Sequence, residues 1–473
     1  MWGITLHRND DVSLARQLFL AVTERITAGQ IAPGEALPST RELALDLGVS
    51  RNTVCEAYTM LWTEGFIINH PGAASRVADG LAIATRPPEP KAEPERAPVH
   101  YRFDFKTGQP DLTLFPWSAW NRDIAGAAGR LNPGQMDYSG PKGYPPLCEE
   151  IARWLLRTRG MAVDPADVFV TSGATQALYI LVEILHREGK SFALEDPSHP
   201  GIRGAVMDKG RSVCWMPVDD QGAVVSCLNG KTLSAVYVTP SHQFPLGGIL
   251  PAGRRTELIR LARNGGFYIM EDDYDSEYRY TGAPVSPLYS MDPSRVVYVG
   301  TFSKTLFPAL RLGFAILPRP LQPAWKHARQ YMDVQNPLLE QAALTEFLRK
   351  RQMDRHIRRM NRVYGEKRAV LIHALEEAFG RRVQVRGDAS GLHVALRFPG
   401  MEFGPTFEQA CRGAGLRVRP VSRYCVETTA YSDTLLVGYG HLDEENICEG
   451  VRILRELLKS EILAYEKGKK ELS

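Results

Sequence analysis

Between Thr301 and Gly313 the chain reads TFSKTLFPALRLG, so one amine, several hydroxyls and a guanidinium fall close together. An amine can condense with an aldehyde, and hydroxyls with a guanidinium can hold a phosphate dianion. The planar fork of arginine suits that phosphate better than a second lysine would. Thr301, Ser303, Lys304 and Arg311 supply these groups at the end of a predicted strand. Upstream, Phe267–Tyr274 reads FYIMEDDY, an apolar strand ending in acids. That puts a carboxylate at the C-terminal edge of a sheet, where open α/β sheets bind ligands, and such an acid can keep a pyridine nitrogen protonated. A third piece, Val170-Thr171-Ser172-Gly173-Ala174-Thr175-Gln176, is a strand entering a helix through glycine, with free amides and a hydroxyl for an anion. Each piece alone also describes an ordinary surface lysine, an acidic strand end or a serine-capped helix. The three in this order carry more.

A different chemistry occupies the first eighty residues. Ser39 or Thr40 can cap a short helix with Leu43, Ala44 and Leu47 on its apolar side. Gly48 supplies the positive-φ break, Val49 plugs the turn, and Ser50 caps a second helix from Arg51 to about Glu64. Burying Val54, Ala57, Tyr58 and Leu61 leaves Arg51, Asn52, Thr53 and Glu56 facing outward. Two helices joined this way can place the second in a major groove, its first residues reaching phosphates and base edges. Leu14, Leu18, Ala21, Val22 and Ile26 form an apolar stripe at helical spacing that Ala28-Gly29 ends, and a strand pair, Phe66–Ile68 and Arg76–Ala78, follows around His70-Pro71-Gly72.

The elements that must position these groups divide the chain. Residues 11–78 are mostly helical, and residues 79–102 form a semi-rigid linker with Pro87, Pro88, Pro90, Pro94 and Pro98 between charges. Residues 103–473 alternate short β-rich runs with helical patterns, which predicts a large α/β domain on a mainly parallel sheet. From about Met353 the pattern changes to long helices and a smaller α+β unit. The 473 residues carry a net charge of only +3, so no global polycation coats nucleic acid or an anionic membrane. Residues 1–80 hold six arginines, no lysine and nine acids, a net −3. A lone domain of that charge should bind DNA weakly, which favours a pair on two half-sites with a local positive face. The seven cysteines are scattered without Cys-x-x-Cys, which argues against a disulfide framework and a thiolate zinc site; no metal is expected. Neither a secretory signal nor an apolar run of ~20 residues is evident, so the expected location is cytoplasmic and no membrane partner is expected.

The stretch LPSTRELALDLGVSRNTVCEAYTMLWTEGFI resembles the GntR-type winged helix–turn–helix over nearly all of residues 11–78. The resemblance implies DNA contacts by Arg41, Ser50, Arg51, Asn52 and Thr53, and by a wing whose tip here is Pro71-Gly72-Ala73-Ala74. Residues 103–473 resemble fold-type I pyridoxal-phosphate enzymes of the aspartate aminotransferase superfamily. Lys304 then matches the Schiff-base lysine, Asp272 the partner of the pyridine nitrogen and Tyr274 a donor to the ring oxygen. Ala174, Thr175, Thr301, Ser303 and Arg311 match the phosphate cradle, and His199 the ring stacked on the pyridine. Tyr138, in Met136–Tyr144, matches the tyrosine that reaches the neighbouring subunit's phosphate, which implies a homodimer.

Three departures accompany this match. His242-Gln243-Phe244-Pro245 stands where aminotransferases have Asn-Pro-x-Gly, Asp272 and Tyr274 are two apart rather than three, and Leu436 replaces the arginine that grips a substrate carboxylate. Arg203, Arg417, Arg419 or Arg423 could restore an anion site, with Arg203 and Arg423 as the main candidates. Over its full length the chain resembles the MocR/GabR-type transcriptional regulators, in part through TPSHQFP (239–245) and EDDYDSE (271–277). The resemblance implies a promoter-binding dimer that senses a small amino compound by aldimine exchange at Lys304, its aminotransferase-like domain serving as sensor rather than enzyme. Two other readings stay open: a sensor of pyridoxal phosphate itself, and a true aminotransferase with an added DNA-binding domain.

Overall fold

The computed structural model describes residues 2–69, 73–81, 100–283, 285–427 and 429–471. Residues 1–98 and 99–473 form two compact units. Residues 82–99, most of the expected linker, and Gly72 at the wing tip lie outside the described residues.

In the first unit, α1 (Leu14–Thr27), α2 (Thr40–Leu47) and α3 (Arg51–Thr63) precede the antiparallel pair β1 (Ile67–Ile68) and β2 (Arg76–Val77). Ser39 and Glu42 form a reciprocal capping box that starts α2, and Gly48 ends it at φ +64°. Ser50 caps α3 by accepting from the Thr53 amide. Leu18, Val22, Leu43, Val54, Ala57 and Leu61 make the core, and Leu81 packs against it, past the end expected at residue 78.

The second unit begins with β3 (Phe103–Asp104), α4 (Trp117–Arg130) and α5 (Pro145–Arg159). The central run is β4 (Val168–Thr171), α6 (Ala174–Leu185), β5 (Ser191–Asp196), α7 (Pro200–Met207), β6 (Val213–Asp219), β7 (Gly222–Ala223), β8 (Leu233–Val238), α8 (Ala252–Gly265), β9 (Tyr268–Asp273), β10 (Val296–Thr301) and β11 (Gly313–Ile316). These eight strands form one sheet in the order β4-β11-β10-β9-β8-β5-β6-β7. The β10-β9-β8-β5-β6 pairings are parallel, and β11 runs antiparallel to both neighbours. The central strands β5, β8, β9, β10 and β11 are buried on both faces. Along β10, Val296 and Tyr298 enter one core while Val297 and Val299 enter the other, the period-two alternation of a pleated strand.

Then come α9 (Gln322–Gln330), α10 (Leu338–Arg349), α11 (Gln352–Phe379), β12 (Gln384–Arg386), β13 (His393–Arg397), α12 (Pro405–Gly413), β14 (Leu416–Arg417), β15 (Arg419–Pro420), β16 (Thr434–Gly438) and α13 (Glu444–Glu471). A four-stranded sheet ordered β12-β13-β16-β15 carries its own core, while β14 pairs with β3. This is the expected smaller α+β unit, closed by a strand from the start of the second unit.

Candidate functional site

The C-terminal ends of β4, β9 and β10 meet at one edge of the large sheet. Val299 registers with Asp272, and Thr301 with Gly313, which in turn registers with Thr171. Side chains separated by more than a hundred residues therefore converge on one cavity of about 340 Å³. Lys304, Asp272, Tyr274, Ala174, Thr175, His199, Thr301, Ser303 and Arg311 all line it.

At its floor Asp272 is buried; Oδ2 accepts from the Tyr237 hydroxyl at 2.9 Å, while Oδ1 has no partner. Burial pushes its carboxyl up to about 7, against the Tyr237 bond and helped by the Asp273 charge. A buried acceptor without a donor is costly, and a protonated ring nitrogen would satisfy it. Burial also lowers the Lys304 ammonium, although Asp275 and Asp272 oppose that shift. Gly108 makes room for this amine: a Cβ there would come within 2.7 Å of Lys304 Nζ.

The groups expected to hold an anion come together around the start of α6. Gly173, at φ +87°, leaves the helix without a side-chain cap and lets the Arg311 guanidinium lie where a Cβ would stand 3.3 Å away. Arg311 donates to the Ser172 carbonyl at 2.6 Å, and the Thr301 and Ser303 hydroxyls bond each other at 3.1 Å. Amine, orphaned carboxylate oxygen, hydroxyls and guanidinium together fit a phosphorylated pyridine aldehyde.

Beside the floor lies a cluster around His242, of which the sequence marks His242 alone, as a departure from the aminotransferase pattern. His242 Nδ1 is 3.0 Å from Asp275 Oδ1, and its Nε2 is 3.3 Å from the Gly387 carbonyl. Burial works against charge on His242, but Asp275 outweighs it and raises the imidazole's pKa. Acceptors near both nitrogens, with the Asp275 carboxylate foremost, favour the protonated form of His242. Tyr274 donates to the His242 carbonyl at 3.0 Å, so the hydroxyl assigned to the ring oxygen is anchored by the residue that replaces asparagine. His393 lies against His242, with ring centroids 4.7 Å apart, and its buried Nε2 is unpartnered. Ligand atoms of His242, Asp275 and His393 lie within 4.8 Å of one another, with His242 hydrogen-bonded to Asp275 and the His393 ring against that of His242.

Of the anion-site candidates, the structure brings Arg419 to the cavity, next to Leu436. Arg203 instead donates to the Cys425 carbonyl, Arg423 is forked onto Glu408, and Arg417 pairs with Asp104. None of these three lines the cavity; each is engaged by another partner. Lys106, on the loop after β3, lines it and was not anticipated. An unpaired lysine a few residues after the linker carries no local signal of its destination. Tyr138 stands 79% exposed and away from this chain's cavity.

On the first unit, Arg41, Arg51 and Asn52 are exposed around the helix–turn–helix. Arg51 Nε donates to Thr40 Oγ1 at 3.3 Å, tying the opening of α3 to that of α2. The Ser50 and Thr53 hydroxyls bond each other at 2.9 Å, closing the cap from which the amides of α3 point outward.

A helix–turn–helix unit joined to an α/β unit with this lysine site defines a DNA-binding regulator carrying an aminotransferase-like domain. Residues 14–77 match the model for bacterial regulatory proteins of the gntR family, and residues 109–436 the model for aminotransferase class I and II. The chain is 31% identical to the probable rhizopine catabolism regulatory protein MocR of Rhizobium meliloti, over 96% of this chain and 95% of that protein. It is 30% identical to the pyridoxine biosynthesis transcriptional regulator PdxR of Corynebacterium glutamicum, over 94% and 96%. Among solved structures it is similar to LysN, the alpha-aminoadipate aminotransferase of Thermus thermophilus complexed with N-(5'-phosphopyridoxyl)-L-leucine. That match has 28% identity and a TM-score of 0.69, covering 76% of this chain and 93% of LysN. The chain belongs to the MocR-type family of transcriptional regulators, a GntR-type winged helix–turn–helix fused to an aminotransferase-like domain whose cofactor is pyridoxal phosphate. Among the described residues, no helix is long and apolar enough to cross a membrane.

Proposed function

We propose that this regulator binds promoter DNA as a homodimer and responds to a small amino compound that enters the Lys304 cavity. Bound there, pyridoxal phosphate would supply an aldehyde for which the Lys304 amine and an incoming amine could compete. Asp272, whose Oδ1 has no partner, would face the ring nitrogen, Tyr274 would lie by the ring oxygen, and His199 would cover the ring face. Ala174, Thr175, Thr301, Ser303 and Arg311 would hold the phosphate, and Tyr138 of one protomer would reach toward the other's cradle. Burial lowers the Lys304 ammonium and so favours the free amine needed for exchange.

The reading is carried by the juxtaposition of Lys304 with Leu436 and Arg419 in one cavity. The apolar Leu436 removes the grip used for α-carboxylates, and Arg419 supplies a cation nearer the exposed rim. An effector with an amine and a separate anionic group would bridge Lys304 and Arg419. Each ligand shifts the DNA-binding equilibrium only by its differential affinity for the two states. Arg41, Arg51, Asn52 and the capped start of α3 would read the operator.

Titrating the full chain with amino compounds, while following visible absorbance and promoter affinity in the same samples, tests this. A band shift accompanied by changed affinity is expected. Spectral change without any change in affinity would sink the reading, and sustained turnover of an amino donor with a keto acid would favour the aminotransferase alternative. That alternative draws support from the complete lysine, acid and phosphate-cradle set.

A further inference from the structure

The charge balance poses a problem that α11 answers. The DNA-reading segment, residues 1–80, carries −3, which leaves +6 on the rest of the chain. The apolar side of α11 is fixed by Met353, Met360, Tyr364, Leu371 and Leu375, all buried. Its opposite side carries Arg355, Arg358 and Arg359, preceded by Arg351, and all four are exposed. Their spacing is three and four residues, so they form one stripe about 12 Å long. Exposed Arg122, from α4, joins Arg355 and Arg359 around an open cleft of about 270 Å³.

These five arginines differ from their neighbours in having no partner. Arg349 pairs with Glu346, Lys350 with Asp123, Lys367 with Asp111 and Arg368 with Asp388. The acid inside the stripe, Asp354, is 3.5 Å from Arg157. Among the described residues, Arg122, Arg351, Arg355, Arg358 and Arg359 take part in no ion pair and no side-chain hydrogen bond. Five guanidiniums within a short span repel one another, and nothing in the fold uses them.

We propose that this stripe binds the phosphate backbone of duplex DNA flanking the operator, as a second, sequence-independent DNA contact made by the aminotransferase-like unit. Duplex DNA presents about one negative charge per 1.7 Å of axis, so a 12 Å stripe faces roughly seven charges. The planar, permanently charged guanidinium fits phosphate oxygens two at a time. DNA is the occupant favoured here over an acidic protein because this chain already engages DNA through a unit short of positive charge. The inference rests on that DNA binding, and its test separates the two.

The test uses the full chain with its cofactor and a long random-sequence duplex, followed by fluorescence anisotropy across a salt series. Neutralising three charges with Arg355→Gln, Arg358→Gln and Arg359→Gln should flatten the slope of log affinity against log salt by about 2 to 3 and weaken low-salt binding tenfold or more. Replacing the same three by lysine should restore most of the slope. An unaltered visible band certifies the fold of the variant, and Arg122→Gln with Arg351→Gln provides an independent pair. Arg51→Ala serves as the comparison: it should cost promoter selectivity while leaving the stripe's share of the slope. If Arg51→Ala abolishes promoter binding but the triple variant keeps the parent's slope, the stripe is not a DNA contact and the regulator reading survives. Tighter competition by polyglutamate than by DNA at equal charge would overturn the proposal in favour of an acidic protein.

Discussion

Arg419 and Leu436 stand directly opposite each other in the antiparallel pair β15 and β16, and both line the cavity that holds Lys304. Opposed residues in such a pair share a face of the sheet, with Cβ atoms ~5 Å apart. The guanidinium therefore sits one strand over from Leu436, on the edge strand of the sheet. Arg419→Gln should weaken an anionic amino compound about tenfold to a hundredfold, the share of a hydrogen bond to a charged group. A neutral amine should bind as before. Titration of the visible band measures both, and equal losses for the two ligands would remove Arg419 from the anion's path.

Gly108 and Lys304 give a second prediction. A methyl group at residue 108 would stand 2.7 Å from the amine, on a backbone at φ +64°. Lys304 can swing aside, so Gly108→Ala should fold with a penalty on the order of 1 kcal/mol while losing most of its visible band. Lys304→Ala should lose the band entirely. A Gly108→Ala protein with the parent's absorbance would show that the amine does not need this space.

Asp272 links the site to pH. Its carboxyl is raised by burial to about 7, so the folded, cofactor-free chain holds a proton that the unfolded chain releases near pH 4. As pH rises through that window the unfolded state binds fewer protons, and the contribution of Asp272 to stability falls. Asp272→Asn lacks this loss. Relative to its parent, the variant should gain about 1 to 4 kcal/mol between pH 4 and 7 and then level off, as read from urea unfolding of both proteins. A difference independent of pH would mean that Asp272 is ionised throughout.

Arg51 tests the other unit alone. It is exposed at the start of α3, and Arg51→Ala should weaken promoter binding by about 1 to 3 kcal/mol if it reads a base edge. The visible band should be unchanged. Loss of both signals together would report misfolding instead.

Local signals carried most of the first unit. The Ser39–Glu42 box, Gly48 in its left-handed conformation and the Ser50 cap are each decided within four residues, and the four core positions of α3 follow from helical period alone. The large sheet was legible for a related reason: strands buried on both faces are short apolar runs, and their order along the chain is the order of the motifs. Where burial ended was less visible. The wing-side core extends to Leu81, because one leucine beyond a turn can fold back onto it.

What the sequence alone determined was the inventory of chemistry and the element carrying each group: Lys304 after one strand, Asp272 ending another, Ala174 opening a helix. Those properties depend on neighbours a few residues away. Only the tertiary structure decided which arginine reaches the cavity, that His242 pairs with Asp275, and that Lys106 and Gly108 lie beside Lys304. These outcomes rest on strand register and on packing between segments far apart in the chain. Arg203, Arg417, Arg419 and Arg423 look alike in sequence; Cys425, Asp104 and Glu408 occupy three of them, and β15 turns the fourth toward the amine.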